Sequence, residues 1–259
     1  MTPPIDVADL LKTIGIRLSK ETLRALLDDM HKRKLSPAQV CEHLVTAEAK
    51  ERARRNLDRR SRYAALGTMA SIDTFDWTWP KSIDKDVVDE LLTLSFVNDA
   101  DNVLLRGPPG LGKSTIAKNL GHLALQKGLQ VRYSTVAAML TDIGKQDGLL
   151  AMERRMRRYT QPHLLILDEL GYVPHGARGA DHLFNIISSR HERAATVITT
   201  NLAYKKWGEV FDGAASINAA VDRFAQHCVV VDIDGDSYRQ RRPEPPAAAA
   251  RPALKKPHR

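Results

Sequence analysis

The sequence predicts an α/β fold: a parallel central sheet with helices on both faces, and a small all-helical region ahead of it. Three observations lead there. Short, wholly apolar segments such as Leu164–Leu167 read as strands buried on both faces. They alternate with amphipathic stretches at helical spacing, the pattern of a βαβ series. The stretch Leu104–Thr115, LLRGPPGLGKST, runs from a strand through a glycine-rich turn into a helix that opens with a lysine and two hydroxyls.

Residues 1–68 read as the helical region. Leu10, Leu11, Ile14, Leu18, Leu23, Leu26 and Leu27 recur at roughly helical spacing. Ser36-Pro37-Ala38-Gln39 marks a fresh start: a serine to cap, a proline suited to the first helical position, and a glutamine that completes a capping box. That helix is expected to run to Leu66, with Gly67 as its stop. Its apolar stripe (Val40, Leu44, Ala47) fades where the arginines begin, which predicts an exposed second half. Residues 70–81 read as a loop into a second domain covering 69–242. There the expected order is a helix at Asp86–Phe96, a strand at Val103–Arg106, a helix at Lys113–Lys127 closed by Gly128, and strands at Gln130–Ser134 and Leu164–Leu167. A helix at Asp181–Glu192 and strands at Thr196–Thr200 and Val229–Ile233 follow. Residues 243–259, mostly proline, alanine and basic side chains, read as a disordered basic tail.

Hydrophobic content of 43% over 259 residues allows a sizeable core. Two cysteines, Cys41 and Cys228, give neither a disulfide framework nor zinc spacing, and a reducing cytoplasm is the expected setting. Met1–Leu10 is polar and does not read as a signal peptide, and no apolar run approaches a membrane span. The formal charge of +8 points to a polyanionic partner, most simply nucleic acid. Lys50–Arg62 holds seven basic residues against two acidic ones, and Arg154–Arg158 has four arginines in five positions.

The glycine-rich turn fits G-x-x-x-x-G-K-[ST]. Glycines permit a backbone path that aims successive N–H groups at phosphates, and the helix that follows adds its positive end. The expected nucleotide-binding set is Gly107, Pro108, Pro109, Gly110, Leu111, Gly112, Lys113, Ser114 and Thr115. Lys113 reaches the β and γ phosphates of ATP, and Ser114 is placed to hold Mg²⁺. Such a loop needs a metal-side carboxylate on a neighbouring strand, and Leu164–Glu169 ends in two. Asp168 is expected to support the metal and Glu169 to polarise the attacking water. Asn201, at the tip of the next strand, is placed to orient that water or touch the γ-phosphate. Hydrolysis also calls for positive charge on the developing oxyanions. Arg223 and Arg239 are candidates, though residue physics alone does not choose among so many arginines.

Taken in order, the phosphate loop, Leu164–Glu169, Thr199–Asn201 and Arg223 resemble the AAA+ ATPases of the helicase-loader and initiator branch. Phe75-Asp76-Trp77, LLILDELGY at Leu164–Tyr172, Leu183–Arg190, Ile198–Asn201, Trp207–Phe211 and Ser237-Tyr238-Arg239 narrow the resemblance to IstB-type ATPases, helpers encoded beside the transposase in bacterial insertion sequences. It covers roughly residues 36–242. It implies ATP held at a subunit junction of a multimer, Arg223 as an arginine finger serving a neighbour's ATP, Asn201 as sensor 1 and Arg239 as the sensor-2 arginine. It implies no separate C-terminal lid, and double-stranded DNA and a cognate transposase as partners. His191 and the order Phe211-Asp212-Gly213 depart from the family pattern without touching this chemistry.

For DNA, the expected contacts are Arg52, Arg54, Arg55, Arg59, Arg60 and Arg62, tracking phosphates without reading bases. The bland alternative is a solvated helix face with i,i+4 pairs such as Glu51 with Arg55. Arg154–Arg158 reads as an ordinary surface helix or as the lining of a ring or spiral, and Lys255 and Lys256 as weak electrostatic additions. Trp77 and Trp79 either pack between domains or lie beside adenine, packing being the expected role. A helicase loader is the main alternative function and a nucleotide switch without turnover a third. The absence of an N-K-x-D element argues against a GTPase, and the basic helix against a small-molecule kinase.

Overall fold

The computed structural model describes residues 6–172 and 176–240. The expected basic tail at 243–259, with Lys255 and Lys256, lies outside them.

Three helices come first: α1 (Val7–Thr13), α2 (Lys20–Arg33) and α3 (Pro37–Ala64). Asp6 and Ser19 cap the first two, and α3 opens on the expected Ser36–Gln39 capping box with Pro37 in its first turn. It ends at Ala64, where Ala65 turns left-handed (φ 56°), slightly short of Leu66. A carboxylate clasps the three helices together. Glu48, 5% exposed, accepts from the Arg17 amide (2.8 Å) and Arg55 (2.7 Å), with Arg52 at 3.4 Å. Burial alone would raise this carboxyl, but the Arg17 amide and the two arginines hold it below its ordinary value. The stability it contributes is therefore present at neutral pH and lost as pH falls through that lowered value.

The second half of α3 is not bare, which corrects the expectation drawn from its fading stripe. Leu57 and Ala64 pack into the main core, Arg60 donates to the Leu125 carbonyl (3.3 Å), and the Tyr63 hydroxyl donates to the Arg158 carbonyl (3.2 Å). Sparse small apolar residues suffice here because the partner helix offers Gly121, where a Cβ would come within 2.9 Å of Leu66.

Beyond a short turn at Ile72–Thr74 lie α4 (Lys85–Thr93), α5 (Ser95–Asn98), β1 (Asn102–Arg106), α6 (Lys113–Gln126), β2 (Val131–Thr135), α7 (Val136–Gly144), α8 (Leu149–Thr160) and β3 (Leu164–Leu170). After them come α9 (Gly176–Arg190), β4 (Ala195–Thr200), α10 (Trp207–Val210), α11 (Ala215–Gln226) and β5 (Cys228–Asp232). The helix expected at Asp86–Phe96 is broken in two by Leu94, left-handed at φ 67°. Helices α7, α10 and α11 were not anticipated. The five strands are all parallel, in the order β2-β3-β4-β1-β5. Side chains alternate between two cores. Val103, Leu105, Leu164 and Ile166 face α4, α5, α6 and the end of α3. Leu104, Leu165, Leu167 and Ile198 face α7 to α11.

Arg190, at the end of α9, is 1% exposed and serves as an internal clamp. It donates to the carbonyls of Tyr159 (3.1 Å), Pro162 (2.8 Å) and Ala195 (2.5 Å) and to the Thr196 hydroxyl (2.9 Å). It thus ties the end of α8 to the starts of β3 and β4. Burial pulls its guanidinium down to about 9, yet it remains charged at neutral pH. Replacing Arg190 with Met strands several buried acceptors, and equilibrium urea unfolding is expected to show a loss of at least about 3 kcal/mol.

Candidate functional site

The C-terminal ends of β1, β3 and β4 converge on a cavity of about 300 Å³. Its lining includes Pro109–Thr115 from the phosphate loop, Glu169, Tyr172, Thr199, Tyr238, Arg239 and the segment around Thr74–Pro80. The loop takes the glycine-dependent path that its sequence predicts. Gly110 and Gly112 both sit at φ 84°, and a Cβ on them would meet the Ser237 hydroxyl at 2.0 Å and the Phe75 ring at 2.3 Å. Two distant stretches of chain close the cavity. Asn119 of α6 holds the first through the Ile72 amide (3.0 Å) and the Ala70 carbonyl (3.0 Å). The second rides on the loop itself, where the Tyr238 amide donates to the Gly110 carbonyl (3.0 Å). Trp79 joins them: its indole N–H donates to the Asp236 carbonyl (2.8 Å) and its ring meets Tyr238 edge-on at 5.4 Å. Trp79 thus both packs and lines the cavity, while Trp77 packs against Phe75 at 4.6 Å.

Lys113 is buried and donates to the carbonyls of Gly107 (2.7 Å) and Pro108 (2.6 Å). Burial pulls its ammonium down to about 8, partly offset by Asp168 and reinforced by Arg239. Asp168 is 2% exposed. It accepts from Ser114 (2.9 Å) and Thr199 on Oδ1, and from Tyr133 (2.6 Å) on Oδ2. Burial and the neighbouring Asp168 push the Tyr133 phenol far up, so it stays a donor across the working pH range. Glu169 takes a left-handed backbone (φ 63°), its amide donates to the Thr199 hydroxyl (3.0 Å), and its side chain is exposed in the cavity.

The other expected residues divide: Arg239 reaches the cavity, whereas Asn201 and Arg223 are not part of its lining. Asn201 is exposed beyond β4 near Gly171, and from β4 the cavity is lined by Thr199. Arg239 is exposed at the cavity. Arg223 lies on α11, donating to the Ser188 hydroxyl (2.5 Å) with its guanidinium 5.0 Å from the Phe184 ring. Tyr133 and Thr199 carried no assigned role in the sequence. Their hydroxyls matter only once strand order puts them beside Asp168, and no local signal announces that.

The arginines of α3 divide. Arg52 donates to the Gly15 carbonyl (2.8 Å), Arg55 to the Arg17 carbonyl (3.2 Å) and Arg60 to Leu125, so these three fasten helices together. Arg54 pairs with Glu51 (2.9 Å) and Arg59 with Asn56 (3.3 Å), and both are exposed, as is Arg62. The expected Glu51–Arg55 pair is replaced by Glu51–Arg54 and Glu48–Arg55, because Arg55 turns inward to the buried carboxylate. On α8, Arg155 and Arg158 lie 3.4 and 3.7 Å from Asp142, while Arg154 and Arg157 are exposed. Among the described residues no helix is long and apolar enough to cross a membrane.

A parallel sheet in this strand order, with a phosphate loop after β1 and an acidic pair near the end of β3, defines a P-loop nucleotide-binding fold of the AAA+ class. Solved structures agree. DnaI superimposes with a TM-score of 0.54 at 16% identity, covering 65% of this chain and 92% of that one. A DnaA structure bound to AMPPCP and single-stranded DNA gives 0.50 at 20% identity, covering 58% and 45%. The family model described as IstB-like ATP binding protein matches residues 10–244, and the chain belongs to that family. An insertion-sequence IS21 protein of Pseudomonas aeruginosa, named for ATP binding, is 31% identical over 88% of each chain. A counterpart from IS5376 of Geobacillus stearothermophilus is 32% identical over 80% of this chain and 82% of its own. Family membership supports ATP as the ligand of the cavity.

The lowered Lys113 gives a pH test. Binding a polyphosphate favours the charged amine, so affinity is full below pH 8 and falls as pH rises through about 8. Titration of a fluorescent ATP analogue from pH 7 to 9.5 is expected to show that step, at most about tenfold per pH unit. Lys113→Met is expected to bind more weakly and without it.

Proposed function

We propose that this protein is an ATP-hydrolysing, DNA-binding regulator of transposition that self-associates on duplex DNA and recruits or stimulates a transposase. The observation that carries the reading is the split between two arginines. Arg239 lines the chain's own cavity, whereas Arg223 is held by Ser188 and Phe184 and is not part of that lining. An arginine so placed serves catalysis by reaching a neighbouring copy's nucleotide, which makes ATP a bond between subunits. Lys113 and the loop amides grip the triphosphate, Glu169 polarises the attacking water, and Arg239 reports on the phosphates from the same copy. Ser114 and Asp168 offer oxygen donors 2.9 Å apart, a donor set that suits a hard divalent cation such as Mg²⁺. That ion, when bound, neutralises charge on the phosphate oxygens. The names of the insertion-sequence relatives support the transposition context.

The DNA reading rests on charge and proximity. Tyr63 joins α3 to Arg158 of α8, so the two basic segments form adjoining surface. Arg54, Arg59 and Arg62 offer exposed guanidiniums there, and Arg52, Arg55 and Arg60 add field while fastening the helices.

With ATP, Mg²⁺ and a duplex, light scattering and electron microscopy are expected to show multimers; a persistent monomer would end this reading. Glu169→Gln and Arg223→Ala are each expected to lose turnover by about a hundredfold or more. Mixed together they recover part of it, because an intact base from one copy then meets an intact arginine from another. No recovery means that Arg223 acts within its own chain or not at all. Replacing Arg54, Arg59 and Arg62 by alanine is expected to reduce the slope of log K against log salt on duplex DNA by about 2–3.

A further inference from the structure

We propose that Tyr133 and Thr199 are positioning residues that fix both oxygens of the Asp168 carboxylate and so set its readiness for the metal–nucleotide. This rests on the reading of Asp168 as the metal-side carboxylate. The terminal torsion of an aspartate is soft, and one hydrogen bond leaves the carboxylate free to swing. Ser114 reaches only Oδ1, at 2.9 Å. Thr199 adds a second hydroxyl to Oδ1 from β4, and Tyr133 holds Oδ2 at 2.6 Å from β2. Strands on either side of β3 therefore pin the carboxylate plane.

Each positioning group is itself held. Lys118, one turn after Ser114 on α6, lies 4.9 Å from the Tyr133 ring centroid, so the helix that carries the metal-side serine also steadies the tyrosine. The Thr199 hydroxyl donates to Asp168 and accepts the Glu169 amide at 3.0 Å. The two residues consequently differ in reach: Tyr133 acts on Asp168 alone, whereas Thr199 links Asp168 to the backbone that aims Glu169. Outer hydrogen bonds of this kind change metal affinity by about 10–100-fold when removed.

The test uses the full chain and a fluorescent ATP analogue, titrated first in EDTA and then with Mg²⁺. Tyr133→Phe is expected to bind within about twofold of wild type in EDTA but to need about tenfold more Mg²⁺ for half-saturation. Thr199→Val is expected to show the same Mg²⁺ shift with an added fall in turnover at saturating Mg²⁺, and Thr199→Ser to restore both. The proposal is overturned if both variants respond to Mg²⁺ as wild type does. It is equally overturned if EDTA binding and thermal midpoint fall in step with the Mg²⁺ response, the mark of a purely structural role. Asp168→Asn separates the two levels: a wild-type Mg²⁺ response in that variant removes the metal-side assignment itself. A lost response there, with Tyr133→Phe and Thr199→Val unchanged, removes the positioning role alone.

Discussion

A carboxylate sealed at the mouth of a central strand governs the arrangement around it. At 2% exposure, the Asp168 oxygens need hydrogen-bond partners in place of water. They come from α6, β2 and β4 and converge only if β3 lies between β2 and β4 with α6 over the same face. The side-chain phase then poses a problem. Leu164 and Ile166 face the α6 side, so Asp168 does too, and a regular pleat would send Glu169 to the opposite side. The backbone breaks phase instead. Glu169 adopts φ 63°, pairing with β4 shifts between Leu167 and Leu170, and Leu170 joins Leu165 and Leu167 in the far core. A step of three residues where the pleat gives two lets consecutive acidic side chains address one cavity.

The parts legible in the sequence were those written in local pattern. A four-residue apolar strand ending in Asp-Glu, a loop with glycines at fixed offsets, and a Ser-Pro-x-Gln start each carry their signal within one turn or one pleat, and each fell where expected. Helices α7 and α11 escaped because tertiary packing defines them: Val136–Gly144 is as apolar as a strand, and Ala215–Gln226 carries many alanines with little stop signal. Tyr133 and Thr199 escaped for a deeper reason. A hydroxyl on a buried strand is ordinary until the strand beside it is known, and that order is a property of the whole sheet.

Arginine shows the same limit in composition. The sequence presents an undifferentiated excess of positive charge, yet the fold assigns it separate tasks. Arg190 is buried and spent on carbonyls, Arg52 and Arg55 secure the N-terminal helices, Arg60 fastens α3 to α6, and Arg239 stands at the cavity. What separates these roles is the acceptor each guanidinium meets. A backbone carbonyl at the end of a helix or strand captures an arginine through a charge-assisted hydrogen bond, which strengthens where water is excluded. Counting charges in a stretch such as Lys50–Arg62 therefore overstates the surface open to a polyanion.

Helix α6 connects these features. It begins at Lys113, against the phosphate loop, and the Leu125 carbonyl near its far end is held by Arg60, about 20 Å away at ~1.5 Å per residue. Along its length Ser114 meets Asp168, Lys118 covers Tyr133, and Asn119 anchors the segment that walls the cavity. These contacts run from the first turn of α6 to its last, so one helix holds the metal-side serine, the cavity wall and the end of α3 in register. The last turn of α6 abuts α3, where Tyr63 reaches across to α8 and the two basic segments meet. The phosphate site and the basic surface therefore lie at opposite ends of one helix, and each of those ends is tied to the rest of the fold by named hydrogen bonds.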